Sequence, residues 1–136
     1  MTFFESIMSR LDQIYIKDLV STKEAPTTFT AKQTVQEAAS LFEKAGMKEI
    51  IVLDEANQVL GILTEKELIH GLLSEKRAYL VSEVMTKSFP TLLVSDTLSR
   101  ALERFAGGDQ ILLILREDHS FFNTLEISDI RSILQW

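Results

Sequence analysis

Apolar positions recur along this chain with two different periods, and the period changes at recognisable boundaries. Phe3, Phe4, Ile7, Met8 and Leu11 are spaced three and four apart, which predicts a short amphipathic helix over residues 2–13. Thr2 and Glu5 are placed to cap it. Ile14 to Val20 then leads through the polar stretch Ser21 to Glu24 into a short extended segment, Pro26 to Phe29. Thr34-Val35-Gln36-Glu37 has the form of a capping box. It opens a helix with Val35, Ala38, Ala39 and Phe42 inward, and Gly46 is its stop. Glu49 to Leu53 predicts a strand, residues 54–58 a turn, and Val59 to Leu63 the returning strand. A helix follows at once from Thr64 to about Lys76, again with an acid three residues on, at Glu67.

The pattern then repeats, and a repeat settles architecture before any single element does. Val81-Ser82-Glu83-Val84-Met85 echoes Ile16 to Val20, and Phe89-Pro90-Thr91-Leu92 echoes Ala25-Pro26-Thr27-Thr28. Thr97-Leu98 with Ala101 and Phe105 echoes Thr34-Val35 with Ala38 and Phe42 at an offset of 63, and Gly107-Gly108 ends this helix as Gly46 ends the first. Ile111 to Leu115 repeats the first strand of the hairpin, Arg116 to His119 its turn, and Ser120 to Leu125 its return. From there the offset is 62, so Gly61, Thr64 and Glu67 fall on Asn123, Glu126 and Asp129. One residue lost between helix and strand accounts for the change. The expected fold is mixed α/β, of the α+β kind: two β-α-β-β-α repeats over 14–78 and 79–136, preceded by an N-terminal helix over 1–13.

Composition narrows the function classes. With 136 residues the chain can bury one core without staples, and a hydrophobic share of 46% with 25% charged is ordinary for a globular protein. No cysteine is present, which removes disulfides and thiolate metal sites and points to a cytoplasmic location. No apolar run approaches the ~20 residues of a membrane span, and the N-terminus lacks the order of a signal peptide. Met1 directly before a capped helix points to a natural start. Fourteen bases against twenty acids, a net charge of −6, argue against nucleic-acid binding. His70 and His119 stand apart with no ligand spacing, and no glycine-rich phosphate loop occurs. Ser95-Asp96-Thr97 has no histidine placed to activate it and reads as a helix cap. Phe121, Phe122 and Trp136 read as core or dimer-face residues. No catalytic cluster is found, so an enzyme is not expected.

These residues resemble a pair of cystathionine-β-synthase (CBS) domains, the tandem arrangement called a Bateman module. The resemblance rests on Gly61-Ile62-Leu63-Thr64-x-x-Glu67-Leu68, on Ile50-Ile51-Val52-Leu53-Asp54, and on Val81 to Met85 with Phe89-Pro90-Thr91. It covers about Ile14 to Leu134, and Val81 to Phe105 is also similar to the regulatory end of bacterial cystathionine β-synthases. The resemblance implies two units packed through their sheets about a pseudo-two-fold axis, two ligand clefts, and pairing of modules into a homodimer. It implies a regulatory role, with AMP, ADP, ATP or S-adenosylmethionine as ligand and a regulated partner protein not identified by the sequence. In such a motif the acid holds the ribose hydroxyls, the Ser or Thr meets the phosphate, and the neighbouring strands frame the adenine.

Carried onto this chain, the candidate ligand-binding residues are Thr64, Glu67, Lys66, Ile62 and Ile51 in the first copy and Asp129, Thr91 and Pro90 in the second. Lys66, and Lys48 before the strand, are also readable as solvated surface. Glu67 stands where the family more often has Asp, and as a capping glutamate alone it would look the same. In the second copy Asp129 is kept, but Asn123 replaces the glycine and Glu126 the phosphate-facing hydroxyl. A carboxylate there repels phosphate, so this copy suits a ligand neutral or cationic on that side, or is empty. The alternative to a ligand sensor is therefore a degenerate CBS pair serving as a dimerisation or protein-interaction module.

Overall fold

The computed structural model describes residues 2–73 and 80–134. In chain order the elements are α1 (Phe3–Leu11), α2 (Ile16–Val20), β1 (Thr28–Thr30), α3 (Val35–Ala45), β2 (Glu49–Leu53), β3 (Val59–Thr64) and α4 (Glu65–Leu73). After a 3-10 turn (Val81–Glu83) come β4 (Thr91–Leu93), α5 (Leu98–Ala106), β5 (Ile111–Leu115), β6 (Phe121–Glu126) and α6 (Ile127–Leu134). The fold is mixed α+β, with two three-stranded sheets ordered β1-β2-β3 and β4-β5-β6. The expected run of α4 to Lys76, the boundary at 78/79 and Trp136 lie outside the described residues.

Two compact units form, and they do not follow the order of the repeats. A central unit holds Pro26–Phe89, and a flanking unit joins Met1–Ala25 to Pro90–Trp136. The sequence leaves Ile16 to Val20 without an assigned element. It forms the short helix α2, whose Ile16 and Val20 are fully buried with Leu92, Leu98, Leu112, Ile114, Leu125 and Ile130. The leading segment of the first repeat thus completes the core of the second repeat's sheet. Val81 does the same in the central unit, packed with Phe29, Val35, Phe42, Ile50, Val52, Leu63 and Leu68. Burying each such aliphatic side chain is worth roughly 1.5–3 kcal/mol.

Backbone hydrogen bonds set the docking. The Ile16 N–H donates to the Asp96 carbonyl at 2.8 Å, and the Leu98 N–H, a first-turn donor of α5, donates to the Ile14 carbonyl at 2.8 Å. In the central unit the Val81 N–H donates to the Gln33 carbonyl at 2.9 Å. The helix cap expected at Ser95-Asp96-Thr97 is there in position, and this docking replaces its side-chain bond. Thr97 is the N-cap of α5 but makes no side-chain cap bond; its hydroxyl pairs with that of Ser99 at 3.1 Å. The Asp96 carboxylate accepts instead from the Leu93 N–H at 2.7 Å. The third helical residue is Arg100, so the second half of a capping box has no carboxylate to make it. The boxes at Thr2–Glu5 and Thr34–Glu37 are both complete. The Gln33 amide, with the Thr34 N–H and hydroxyl, holds the Glu37 carboxyl below its ordinary value. That cap is therefore in place above the usual carboxylate range and is lost as pH falls through the depressed value.

The two sheets share one register. Ile50 pairs with Leu63 as Leu112 pairs with Leu125, and both hairpins slip at the same place, Val52/Leu53 and Ile114/Leu115. Asn57 and His119 are the matching turn residues at positive φ, 63° and 68°. One detail of the repeat is corrected by one residue. The Thr27 carbonyl receives the Ile51 N–H and the Pro90 carbonyl receives the Leu113 N–H, so Pro90 matches Thr27 and not Pro26.

The edge strand of the central sheet explains Gly61. Ile62 and Thr86 exchange both backbone bonds at 2.9 Å, which brings residues 85–86 against β3. A Cβ on Gly61 would stand 2.7 Å from Met85 Sδ and 2.7 Å from the Thr86 carbonyl oxygen. The thioether can swing away, but the backbone carbonyl cannot move without breaking its bond to Ile62. Gly61→Ala should therefore lower stability by about 1–3 kcal/mol. Gly107→Ala, where the nearest atom is at 3.4 Å, should change it little. Urea unfolding of the two variants checks the difference, and equal midpoints would refute the steric reading.

Candidate functional site

Period-two alternation sorts the residues of the first motif. Ile50, Val52 and Leu63 face the core of the central unit, so Ile51, Ile62 and Thr64 share the opposite face. Ile51 and Ile62 are register partners and both buried. β3 ends at Thr64 and α4 begins at Glu65, so the strand delivers Thr64 to the mouth of a helix. There the Thr64 N–H donates to Glu67 Oε2 at 2.8 Å, and the Thr64 hydroxyl donates to the same oxygen. A carboxylate offers about four acceptor positions over its two oxygens. Lys66 is exposed on the helix and Lys48 is exposed just before β2. The structure thus brings Ile51, Ile62, Thr64 and Glu67 together on one strand-helix corner, with Lys66 beside them on the surface.

Pro90, Thr91 and Asp129 belong to the flanking unit. Thr91, Leu113 and Thr124 form one row across β4, β5 and β6. Thr91 and Thr124 therefore lie on the two outer strands of that sheet, roughly 10 Å apart in strand spacing, and Asp129 lies beyond the end of β6. Asp129 sits in the first turn of α6, and its Oδ2 accepts the Glu126 N–H at 2.8 Å. That matches the backbone half of the Thr64–Glu67 contact.

What differs is the company Asp129 keeps. Lys23 Nζ lies 2.8 Å from Asp129 Oδ2, and donates also to the Thr124 carbonyl at 3.0 Å and the Thr124 hydroxyl at 3.2 Å. The side chains of Lys23 and Asp129 are 26% and 24% exposed. Asn123, 3% exposed, donates its amide to the carbonyls of Val20 at 3.2 Å and Lys23 at 2.9 Å and accepts the Thr124 N–H at 2.8 Å. Asn123 stands where the first motif has Gly61. One edge strand is sealed by a backbone bridge that demands glycine. The other is sealed by side chains, and asparagine supplies them.

Sequence reasoning missed Lys23 and Thr124, because 106 residues separate Lys23 from Asp129. The signal was Asn123 itself, since a side chain in place of the glycine keeps the 20–23 segment from docking as residues 85–86 do. Among the described residues no group of His, Cys, Asp and Glu could hold a metal ion, and no helix is long and apolar enough to cross a membrane. The opening of about 560 Å³ beside Thr30, Lys32, Leu53, Asp54 and Leu60 contains none of the expected site residues.

The sequence pattern of the CBS domain matches residues 16–74 and again 81–135. The chain belongs to the CBS-domain family. None of the curated proteins matches it significantly. Solved structures with the same fold include a CBS-domain-containing protein of unknown function from Bacillus anthracis, 24% identical with a TM-score of 0.80 over 93% of this chain and 96% of that one. The CBS domain pair of protein MJ0100, in complex with 5′-methylthioadenosine and S-adenosyl-L-methionine, is 18% identical with a TM-score of 0.69, over 88% and 94%. The cytosolic domain of the Mg²⁺ channel MgtE, in complex with ATP, is 17% identical with a TM-score of 0.67, over 80% of this chain and 45% of that one. The tandem CBS arrangement read from the two strand-helix motifs is thereby established.

The Asn123 amide should carry measurable stability. In this CBS pair, Asn123→Ala removes the Asn123 bonds of the Lys23 carbonyl and the Thr124 N–H and one of the two received by the Val20 carbonyl, which keeps the Lys23 N–H, and should cost about 1–3 kcal/mol. Asn123→Gly, which restores the glycine of the first motif, should be no better, since it restores no bond. Denaturant unfolding would decide, and a stabilised Asn123→Gly would show that the asparagine does not tie the strand.

Proposed function

We propose that this CBS pair is a cytoplasmic regulatory module, not an enzyme, that binds an adenosine-type ligand at its first motif and signals through a shape change. The observation that carries the reading is the corner itself. Glu67 and Thr64 meet at a helix start, Ile51 and Ile62 flank them on the same sheet face, and among the described residues no salt bridge reaches Glu67. A ribose diol can take the free Oε1, or displace Thr64 from Oε2. An anionic phosphate suits the first-turn N–H groups and Lys66. The adenosine ligands named for MJ0100 and MgtE support the choice of class. Because Glu67 also caps α4, a ligand that competes for its oxygens changes how α4 is held, and coupling to a partner is reciprocal with ligand affinity.

Thermal unfolding with AMP, ADP, ATP, adenosine and S-adenosylmethionine tests the reading. A ligand at 100 times its dissociation constant should add about 2.7 kcal/mol, a rise of several degrees. Glu67→Ala should abolish that rise while costing only about 1 kcal/mol of cap. No rise with any of the five would remove the sensor reading.

A second reading, an interaction module that binds no nucleotide, is favoured by the sealed second motif around Lys23 and Asp129. We also propose that the module is a homodimer, and the solvent-facing Phe3 and Met8 of α1, 83% and 39% exposed, support an interface role for that helix. Sedimentation at high micromolar concentration checks it, and a monomer mass there would sink the dimer.

A further inference from the structure

We propose that Lys23 is a built-in occupant of the second motif, a cation of the chain's own that holds Asp129 and keeps that motif closed to ligand. An ammonium has three hydrogens, and here each has an acceptor: Asp129 Oδ2 at 2.8 Å, the Thr124 carbonyl at 3.0 Å and the Thr124 hydroxyl at 3.2 Å. The lysine is not a swinging arm. Its own carbonyl receives the buried Asn123 amide at 2.9 Å, so the residue is tied at both backbone and side chain. With about three-quarters of both side chains covered, the pair is less screened than one on the open surface.

Among the described residues the first motif has no such occupant. Counted forward from Val81 opposite Ile16, the place of Lys23 falls on Ser88, and counted back from Pro90 opposite Thr27 it falls on Thr86. Neither brings a charge, and Lys87 between them makes no ion pair among the described residues. Glu67, the counterpart of Asp129, is met by Thr64 alone among the described residues. The two motifs therefore differ in kind. One carboxylate is left to be answered by a ligand, and the other is already answered by the chain. The exchange is also balanced in charge. Glu126, in place of the hydroxyl, adds a second carboxylate at the start of α6, and Lys23 offsets it. A diol that entered would have to expel the ammonium and leave Asp129 without its cation three residues from Glu126.

This inference rests on the reading of the motif acid as a ribose-holding group, so its test separates the two motifs. Adenosine, which carries the diol and no phosphate, is titrated calorimetrically into the full chain, into Lys23→Met and into Lys23→Met with Asp129→Asn. The expected result is an added binding event in Lys23→Met that the wild type lacks and the double variant loses. If Lys23 holds Asp129 for about 99% of the time, freeing it tightens apparent affinity about 100-fold. A folded Lys23→Met that binds as the wild type does would overturn the proposal. Should that variant fail to fold, Lys23→Gln keeps a donor toward Thr124 without the charge and is read the same way.

Side-chain NMR of the wild type adds a measurement that needs no variant. Saturating adenosine that leaves the Lys23 ammonium and Cε signals in place supports the occupant, and adenosine that displaces them overturns it. A silent wild type beside a binding Lys23→Met would defeat the first-motif reading and leave the occupant standing. A wild type that binds, beside a Lys23→Met that binds with no added event, would defeat only the occupant.

Discussion

Each sheet here has only three strands, and its edge strand must satisfy backbone groups that no fourth strand covers. That constraint shapes both units. A short segment outside the sheet is docked by backbone bonds, Ile16 to Asp96 and Ile14 to Leu98 before the sheet of one unit and Val81 to Gln33 after the sheet of the other. Its aliphatic side chains then close a core that the two helices of the repeat leave incomplete. An unpaired buried N–H or carbonyl costs as much as a lost hydrogen bond, so the docking is obligatory.

Two sequences solve the remaining edge differently, and the difference reaches the functional corner. In the central unit residues 85–86 run beside β3 and bridge to Ile62, so only hydrogen fits at Gly61. In the flanking unit Asn123 and Lys23 reach across with side chains. The first solution spends backbone alone and leaves the acid of the motif to Thr64. The second recruits a lysine whose charge settles on the acid. What looks in the sequence like decay of a motif is, in space, a different set of bonds.

The same economy explains the helix caps. Where Glu follows Thr at the third position, the cap is made locally at Thr2, Thr34 and, in its carboxylate half, Thr64. At Thr97 the third residue is Arg100, and the first-turn donor goes to the docked segment instead. A helix start freed of its side-chain cap is thereby tied to a residue more than eighty positions earlier.

The elements other than α2, the repeat, its change of offset between helix and strand and the CBS family were legible in the sequence, because each depends on spacing within a few residues: 3.6 for the helices, 2 for the strands, three for a capping box. Gathering Ile51, Ile62, Thr64 and Glu67 at one corner was legible for the same reason, since a strand of known parity runs straight into the helix. Tertiary structure alone decided which leading segment fills which core, why Gly61 has no side chain, and that Lys23 meets Asp129. Those contacts join residues up to 106 positions apart, and no local period records a bond that only the docking of one segment on a distant edge strand creates.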